Sequence, residues 1–227
     1  IANVVQQTYP GSTFNYTGDN LQTNAPLMNS EYGGISAGAG DKDVSWCFKY
    51  LTNELRLHQK ICGYIYTELQ DIEWEHNGFM NYDRSVKEFG YDYGYINTLD
   101  FIAIDHPPGL TFKPGDCFEA DVYSSHFSHQ AITGTTLHWR LDGLDGFGAD
   151  VTSLVTGGVE IPFAQYKVEK VHRLSIQLPD GRTQGRTQGR TQGRTQGSPL
   201  LGTLHVWVED SIGAVVARNF VTLEIFD

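Results

Sequence analysis

The chain has 227 residues and a formal charge of −11, from 16 Lys and Arg against 27 Asp and Glu. That balance excludes a nucleic-acid surface, which needs clustered Lys and Arg to displace phosphate counterions. No apolar run approaches the ~20 residues of a membrane span.

The length suits one large domain or two modest ones. Aromatic residues make up 12%, which suits either β-sandwich cores or platforms on which sugars stack. The chain opens at Ile1 with no Met, no basic stretch and no apolar h-region. Either a leader has been removed or the chain belongs to something longer. Residues 1–26 are rich in Asn, Thr, Gln, Gly and Tyr without a steady period, and read as loop. Residues 25–29 form a short apolar segment that runs into Ser30-Glu31-Tyr32-Gly33-Gly34. This pattern predicts a buried strand opening into a Gly-rich loop. Asp41 is placed to cap the next element. Val44, Cys47, Phe48, Leu51 and Leu55 then recur at helical spacing, predicting an amphipathic helix to about His58. Ile61-Cys62-Gly63-Tyr64-Ile65-Tyr66 is a continuous apolar run, as in a strand buried on both faces of a parallel sheet. Strand, helix, strand in that order is a βαβ unit.

The character changes near Phe89. Residues 90–98 are rich in Gly, Tyr, Asp and Asn and read as a linker. Strand-like segments follow at 101–104, 118–124, 136–141, 166–177, 203–209 and 215–225, with partial period-2 alternation through Val122, Leu137, Trp139, Leu141, Val206, Val208 and Val215. Short strands with turn signals between them predict an immunoglobulin-like β-sandwich. Between two of them, over 181–196, Gly-Arg-Thr-Gln repeats four times in tandem and closes with Gly197. Such a polar, Gly-rich repeat cannot bury a core. It reads as an expanded hairpin loop and the most protease-sensitive internal segment, with a basic arm as the alternative. Cys47, Cys62 and Cys117 are too few for a disulfide framework. Each has apolar neighbours and reads as a buried thiol. Secreted, periplasmic and cytoplasmic locations all stay open.

Two clusters carry possible chemistry. Glu31 follows the first buried-type strand, where a β/α barrel places its reactive groups, and a carboxylate there can attack an anomeric carbon. Tyr66-Thr67-Glu68-Leu69-Gln70-Asp71, followed by Glu73-Trp74-Glu75-His76-Asn77-Gly78, puts carboxylates, amides and aromatics at the same end of the same sheet. Carboxylates and amides pair with sugar hydroxyls, and flat rings cover the C–H face of a sugar. A polar loop with Trp74 as a lid on the core is the plainer alternative.

Asn29-Ser30-Glu31-Tyr32-Gly33-Gly34 resembles the nucleophile motif that ends the seventh barrel strand in glycoside hydrolase family 2, the β-galactosidase and β-glucuronidase family. The run from Gly63 to Asp71 resembles that family's eighth strand. Asn77-Gly78-Phe79 and Tyr82-Asp83-Arg84, with Lys87, resemble the stretch after it. The resemblance covers about residues 24–90. It implies residues 1–90 as the C-terminal segment of a (β/α)8 catalytic barrel and 91–227 as the sandwich, with the repeat loop at 181–197. It implies Glu31 as the nucleophile and Tyr66, Glu68, Asp71 and Trp74 as substrate-binding residues. The family's Asn-Glu acid/base pair has no counterpart before Glu31; Asn53-Glu54 lies within the helix after the nucleophile strand. The implied activity is therefore that of a retaining β-glycosidase fragment, complemented by an upstream barrel half or a second copy of the chain. The alternative is a non-catalytic module that binds carbohydrate or protein.

No cofactor and no metal is expected. Asp142, Asp145 and Asp150, interleaved with Gly143, Gly146 and Gly148, fit a Gly/Asp turn better than a calcium loop. His126 and His129 lack further zinc-spaced ligands, and the other His residues are scattered.

Overall fold

The computed structural model describes residues 1–33, 43–180 and 199–226. They are mostly β-strand with few helices and divide into two compact units, Ile1–Asn97 and Thr98–Asp227. Asp41 and the tandem repeat lie outside the described residues.

In the first unit, α1 spans Ala2–Gln7, β1 Leu27–Tyr32, α2 Ser45–Arg56 and β2 Ile61–Tyr66. Helix α1 corrects the reading of 1–26 as loop throughout. It buries none of its residues. It is tied by local bonds instead, Gln7 Nε2 to Asn3 Oδ1 at 2.6 Å and Thr8 Oγ1 to the Val4 carbonyl at 2.7 Å. Apolar periodicity cannot reveal such a helix. Strands β1 and β2 pair in parallel, Leu27 opposite Ile61 and Tyr32 opposite Tyr66, with α2 between them in sequence. Helix α2 turns Phe48 and Leu55 inward. Phe48 packs edge-on to Tyr66 at 5.2 Å and to Phe79 at 4.9 Å, and Phe79 stacks on Phe89 at 5.3 Å. Burying an aromatic ring of this size stabilises by several kcal/mol, the order of a Phe→Ala loss. Two expectations are corrected here. Strand β2 is not buried on both faces, because Cys62 and Ile65 are exposed. Nor are the cysteines buried: Cys62 and Cys117 are exposed and Cys47 is half-buried, all as free thiols. Apolar neighbours in sequence do not decide on which side of a strand a residue points.

The linker region carries a short 3-10 turn, Tyr93–Tyr95, capped by Asp92. In the second unit, β3 spans Asp100–Asp105, β4 Thr111–Phe112, β5 Cys117–His126, β6 Thr136–Asp145, β7 Asp150–Glu160, β8 Lys167–Gln177, β9 Leu200–Glu209 and β10 Val215–Ile225. They form a five-stranded sheet, β4-β10-β9-β6-β7, and a three-stranded sheet, β3-β5-β8. The inner faces meet in one core. Ile102, Phe118, Val122 and Leu174 come from the smaller sheet, and Leu137, Leu204, Val206 and Leu223 from the larger. This is a β-sandwich. Strand β7 was not anticipated, and Asp142 and Gly143 belong to β6 rather than to a turn. The turn itself is short. Asp145 Oδ1 accepts from the N–H groups of Phe147 and Ala149, both at 2.9 Å, and Gly148 has φ +75°. The β9–β10 hairpin repeats the device: Asp210 Oδ1 accepts from Ile212 N at 3.0 Å and Ala214 N at 2.9 Å, and Gly213 has φ +79°. Both are Asp-x-x-Gly-Ala, a three-residue loop that needs Gly at its left-handed position.

Candidate functional site

The parallel pairing of β1 and β2 brings their C-terminal ends together. Thr67 N donates to the Tyr32 carbonyl at 2.7 Å, extending the ladder past β2. Glu31 lies one residue before Tyr32, and Glu68 follows Thr67 across a cis peptide. Gly33 sits at φ +99°, and a Cβ there would run into the Tyr66 ring. Only Gly suits that position.

Glu31 is exposed, and its backbone N–H donates to Asn29 Oδ1 at 3.2 Å. Tyr32 beside it is buried, with 2.6 Å between its hydroxyl and Thr52 Oγ1. Burial pushes the Tyr32 phenol well above its ordinary range despite that bond. Tyr66 packs edge-on to Tyr32 at 5.3 Å, and its hydroxyl donates to the Asn77 carbonyl at 2.7 Å. Burial raises its pKa too, helped by the charges of neighbouring acidic groups.

Glu68 is half-buried, and its Oε1 is sealed from solvent without a partner among the described residues. Burial, then the charges of Glu75 and Asp71, raise its pKa; Lys87 opposes them. Asp71 is 3% exposed and accepts from Lys87 Nζ at 2.8 Å and from Gly78 N at 2.9 Å. Lys87 Nζ also donates to the His76 carbonyl at 2.8 Å. Trp74 projects outward at 64% exposure. The segment between Glu68 and Lys87 is a folded loop, closed by bridges between Gln70 and Met80 and between Met80 and Val86.

Glu31 and Tyr66 thus lie at the ends of the parallel pair, Glu68 follows directly, and Asp71 and Trp74 lie in the loop after β2; the five differ in availability. Glu31 and Trp74 face outward. Glu68 has an uncommitted oxygen. The polar groups of Tyr66 and Asp71 already serve the protein. Two further residues shape the site and escaped the assignment, Lys87 as the counter-charge to Asp71 and Asn77, whose Nδ2 donates to the Thr67 carbonyl at 2.6 Å. The separation of 16 positions between Asp71 and Lys87 hides their pairing from any local pattern. Among the described residues no three His, Cys, Asp or Glu side chains converge as metal ligands. Nor is any described helix long and apolar enough to cross a membrane.

No protein-family model matches the chain, and no curated protein does. Solved structures give low-level likenesses. The exo-chitosanase CsxA of Amycolatopsis orientalis aligns at TM-score 0.42 and 14% identity, over 79% of this chain and 18% of that one. The sporulation control protein Spo0M of Bacillus subtilis aligns at 0.34 and 7%, over 57% of this chain and 50% of that one. A β-glucosidase of Listeria innocua aligns at 0.31 and 13%, over 64% and 19%. The chain spans half of Spo0M and under a fifth of each glycosidase. Two of the three are glycosidases, but likenesses of this strength decide neither family nor activity.

Proposed function

We propose that residues 1–90 are part of the catalytic β/α layer of a retaining β-glycosidase, that Glu31 is its nucleophile, and that residues 91–227 are an accompanying sandwich. The observation that carries this reading is the β1–β2 pair. Parallel strands occur almost only in sheets covered on both faces. Here two parallel strands stand with Met28 at 56% and Ile65 at 49% exposure. Such a pair calls for further strands alongside it and a layer across its open face, as in a barrel wall. The family resemblance in 24–90 supports the same reading, and the exposure of Glu31 suits a group that must meet substrate.

In this reading Glu31 attacks the anomeric carbon, the glycosidic C–O bond breaks, and the leaving oxygen takes a proton from a carboxylic acid on the remaining strands. Water then releases the sugar from the glutamyl ester. The two carboxyl groups of a retaining site lie about 5–5.5 Å apart. The missing strands, supplied by an upstream barrel half or a second copy of the chain, would bring the second one. Trp74 offers its ring to the sugar, and Glu68 a carboxyl oxygen with no partner among the described residues for a hydroxyl.

The test is covalent trapping. A 2-deoxy-2-fluoro-β-glycoside with a dinitrophenyl leaving group needs no acid for the first step. Incubated with the chain plus the upstream barrel half, it should add one fluoroglycosyl group to the peptide containing Glu31, and Glu31→Gln should abolish the adduct. Labelling of another residue, or none with a competent barrel half present, would overturn the assignment. The chain alone should show no turnover of ordinary β-galactosides, β-glucuronides or β-mannosides.

A further inference from the structure

On β5, Phe118, Ala120 and Val122 point into the sandwich, and the alternation carries Ser124 and His126 inward after them. Both polar residues are 0% exposed. Asp100 stands opposite His126 across the β3–β5 ladder. Its Oδ1 accepts from His126 Nδ1 at 2.6 Å, from Phe127 N at 3.2 Å and from Ser128 N at 3.0 Å. Two of those donors are backbone N–H groups, so Oδ1 acts as an acceptor and the imidazole proton on that side sits on Nδ1. The ring's other nitrogen, Nε2, is buried with no partner among the described residues, and so is Ser124 Oγ.

Buried polar atoms left dry carry the full penalty of their lost hydration, and native proteins seldom carry two in one place. The two atoms do not satisfy each other, since neither has a partner among the described residues. They belong to residues i and i+2 on one face of a strand, about 7 Å apart along it. Both side chains therefore stand on the same face of β5, neighbours along the strand. Phe163 stacks on the imidazole, ring centroids 5.2 Å apart at 29°, and gives the site an apolar wall.

We infer that the sandwich encloses one ordered water molecule, held between His126 Nε2 and Ser124 Oγ at the end of an Asp100–His126 relay. Water both donates and accepts, so it serves Nε2 in either protonation state and the serine hydroxyl in either orientation. The full burial of Ser124 and His126 leaves no path for a larger ligand. The Asp–His–Ser arrangement is therefore a structural anchor and not a hydrolytic triad.

A crystal structure of the whole chain, at a resolution that orders internal solvent, decides the matter. The expected result is a peak about 2.7–3.2 Å from both atoms. An empty site, or either atom turned to a protein partner, overturns the inference. Oxygen-17 relaxation dispersion gives an independent readout. Ser124→Ala, shown to be folded by circular dichroism, should lower the count of long-lived internal waters by one. An unchanged count would show that Ser124 holds no water. Should Ser124→Ala fail to fold, the wild-type density still decides.

Discussion

At the scale of single residues, Asp100 illustrates how one carboxylate can tie a corner together. Burial alone would push its pKa up, but the hydrogen bonds from Ser128 and His126 together outweigh burial and hold it below the usual carboxylate range. Folding is thus coupled to its ionisation. The contribution is full above the unfolded pKa of about 3.9 and is lost as pH falls through the lower folded value. Urea midpoints measured against pH should therefore drop for the wild type below about pH 4. Asp100→Asn should flatten that acid limb and cost about 2 kcal/mol at neutral pH, as expected for hydrogen bonds to a charged group. An unchanged acid limb would show that Asp100 does not couple to folding. The buried pair in the first unit behaves differently. Lys87 and Asp71 have side chains 9% and 3% exposed. Removing the cation leaves a buried carboxylate uncompensated, so Lys87→Met should cost about 3 kcal/mol. Chemical denaturation checks it, and a loss near zero would mean that water already screens the pair.

Among the elements, the loop after β2 depends on close backbone approach. A Cβ on Gly78 would meet the main chain of Gln70 and Asp71. Backbone cannot swing aside as a side chain can, so Gly78→Ala should cost about 1–3 kcal/mol. It should also raise amide exchange selectively between residues 68 and 87. Uniform exchange would place the strain elsewhere. The β9–β10 hairpin offers a milder test. Asp210→Ala removes the acceptor for two turn N–H groups and should cost about 1 kcal/mol, in the manner of a lost cap. The hairpin signals were present in sequence as Asp-x-x-Gly-Ala at 145–149 and 210–214. A Gly/Asp cluster names a turn without saying where the strand ends, so β6 runs on through Asp142 and Gly143 to Asp145, past the end its alternation predicts. Strand β7 was missed for a related reason. Its Gly157-Gly158 reads as a breaker, yet a Cβ at 157 would strike the Trp139 ring and one at 158 would come within 3.1 Å of His138. These glycines make room for cross-strand rings, and only the strand pairing reveals that.

For the whole molecule, the two units differ in what they need. The sandwich core runs from Ile102 to Ile225 and is supplied entirely by the second unit. A fragment of residues 98–227 should therefore unfold as one cooperative transition by calorimetry. A fragment of residues 1–97 carries a two-stranded parallel sheet with an open apolar face and should lack such a transition. A cooperative melt of that fragment alone would argue that β1 and β2 need no neighbours, which removes the main support for the barrel-wall reading.

Residue order by itself determined the elements whose signal is local and repetitive. Apolar residues three and four apart made α2, and alternation made β5, β6, β9 and β10, because each of these buries one face and its period follows from backbone geometry; β3 showed instead as a short continuous apolar run, buried throughout. The carboxylate-rich string after β2 and the motif around Glu31 were legible for the same reason, being contiguous. Tertiary structure decided what depends on partners distant along the chain. It committed Asp71 to Lys87 and the Tyr66 hydroxyl to Asn77, while leaving Glu31 exposed. It turned Cys62 outward and joined His126 to Asp100, 26 residues apart. Burial and pairing are properties of the packed chain, since a side chain's neighbours in space are chosen by strand register and not by its neighbours in sequence.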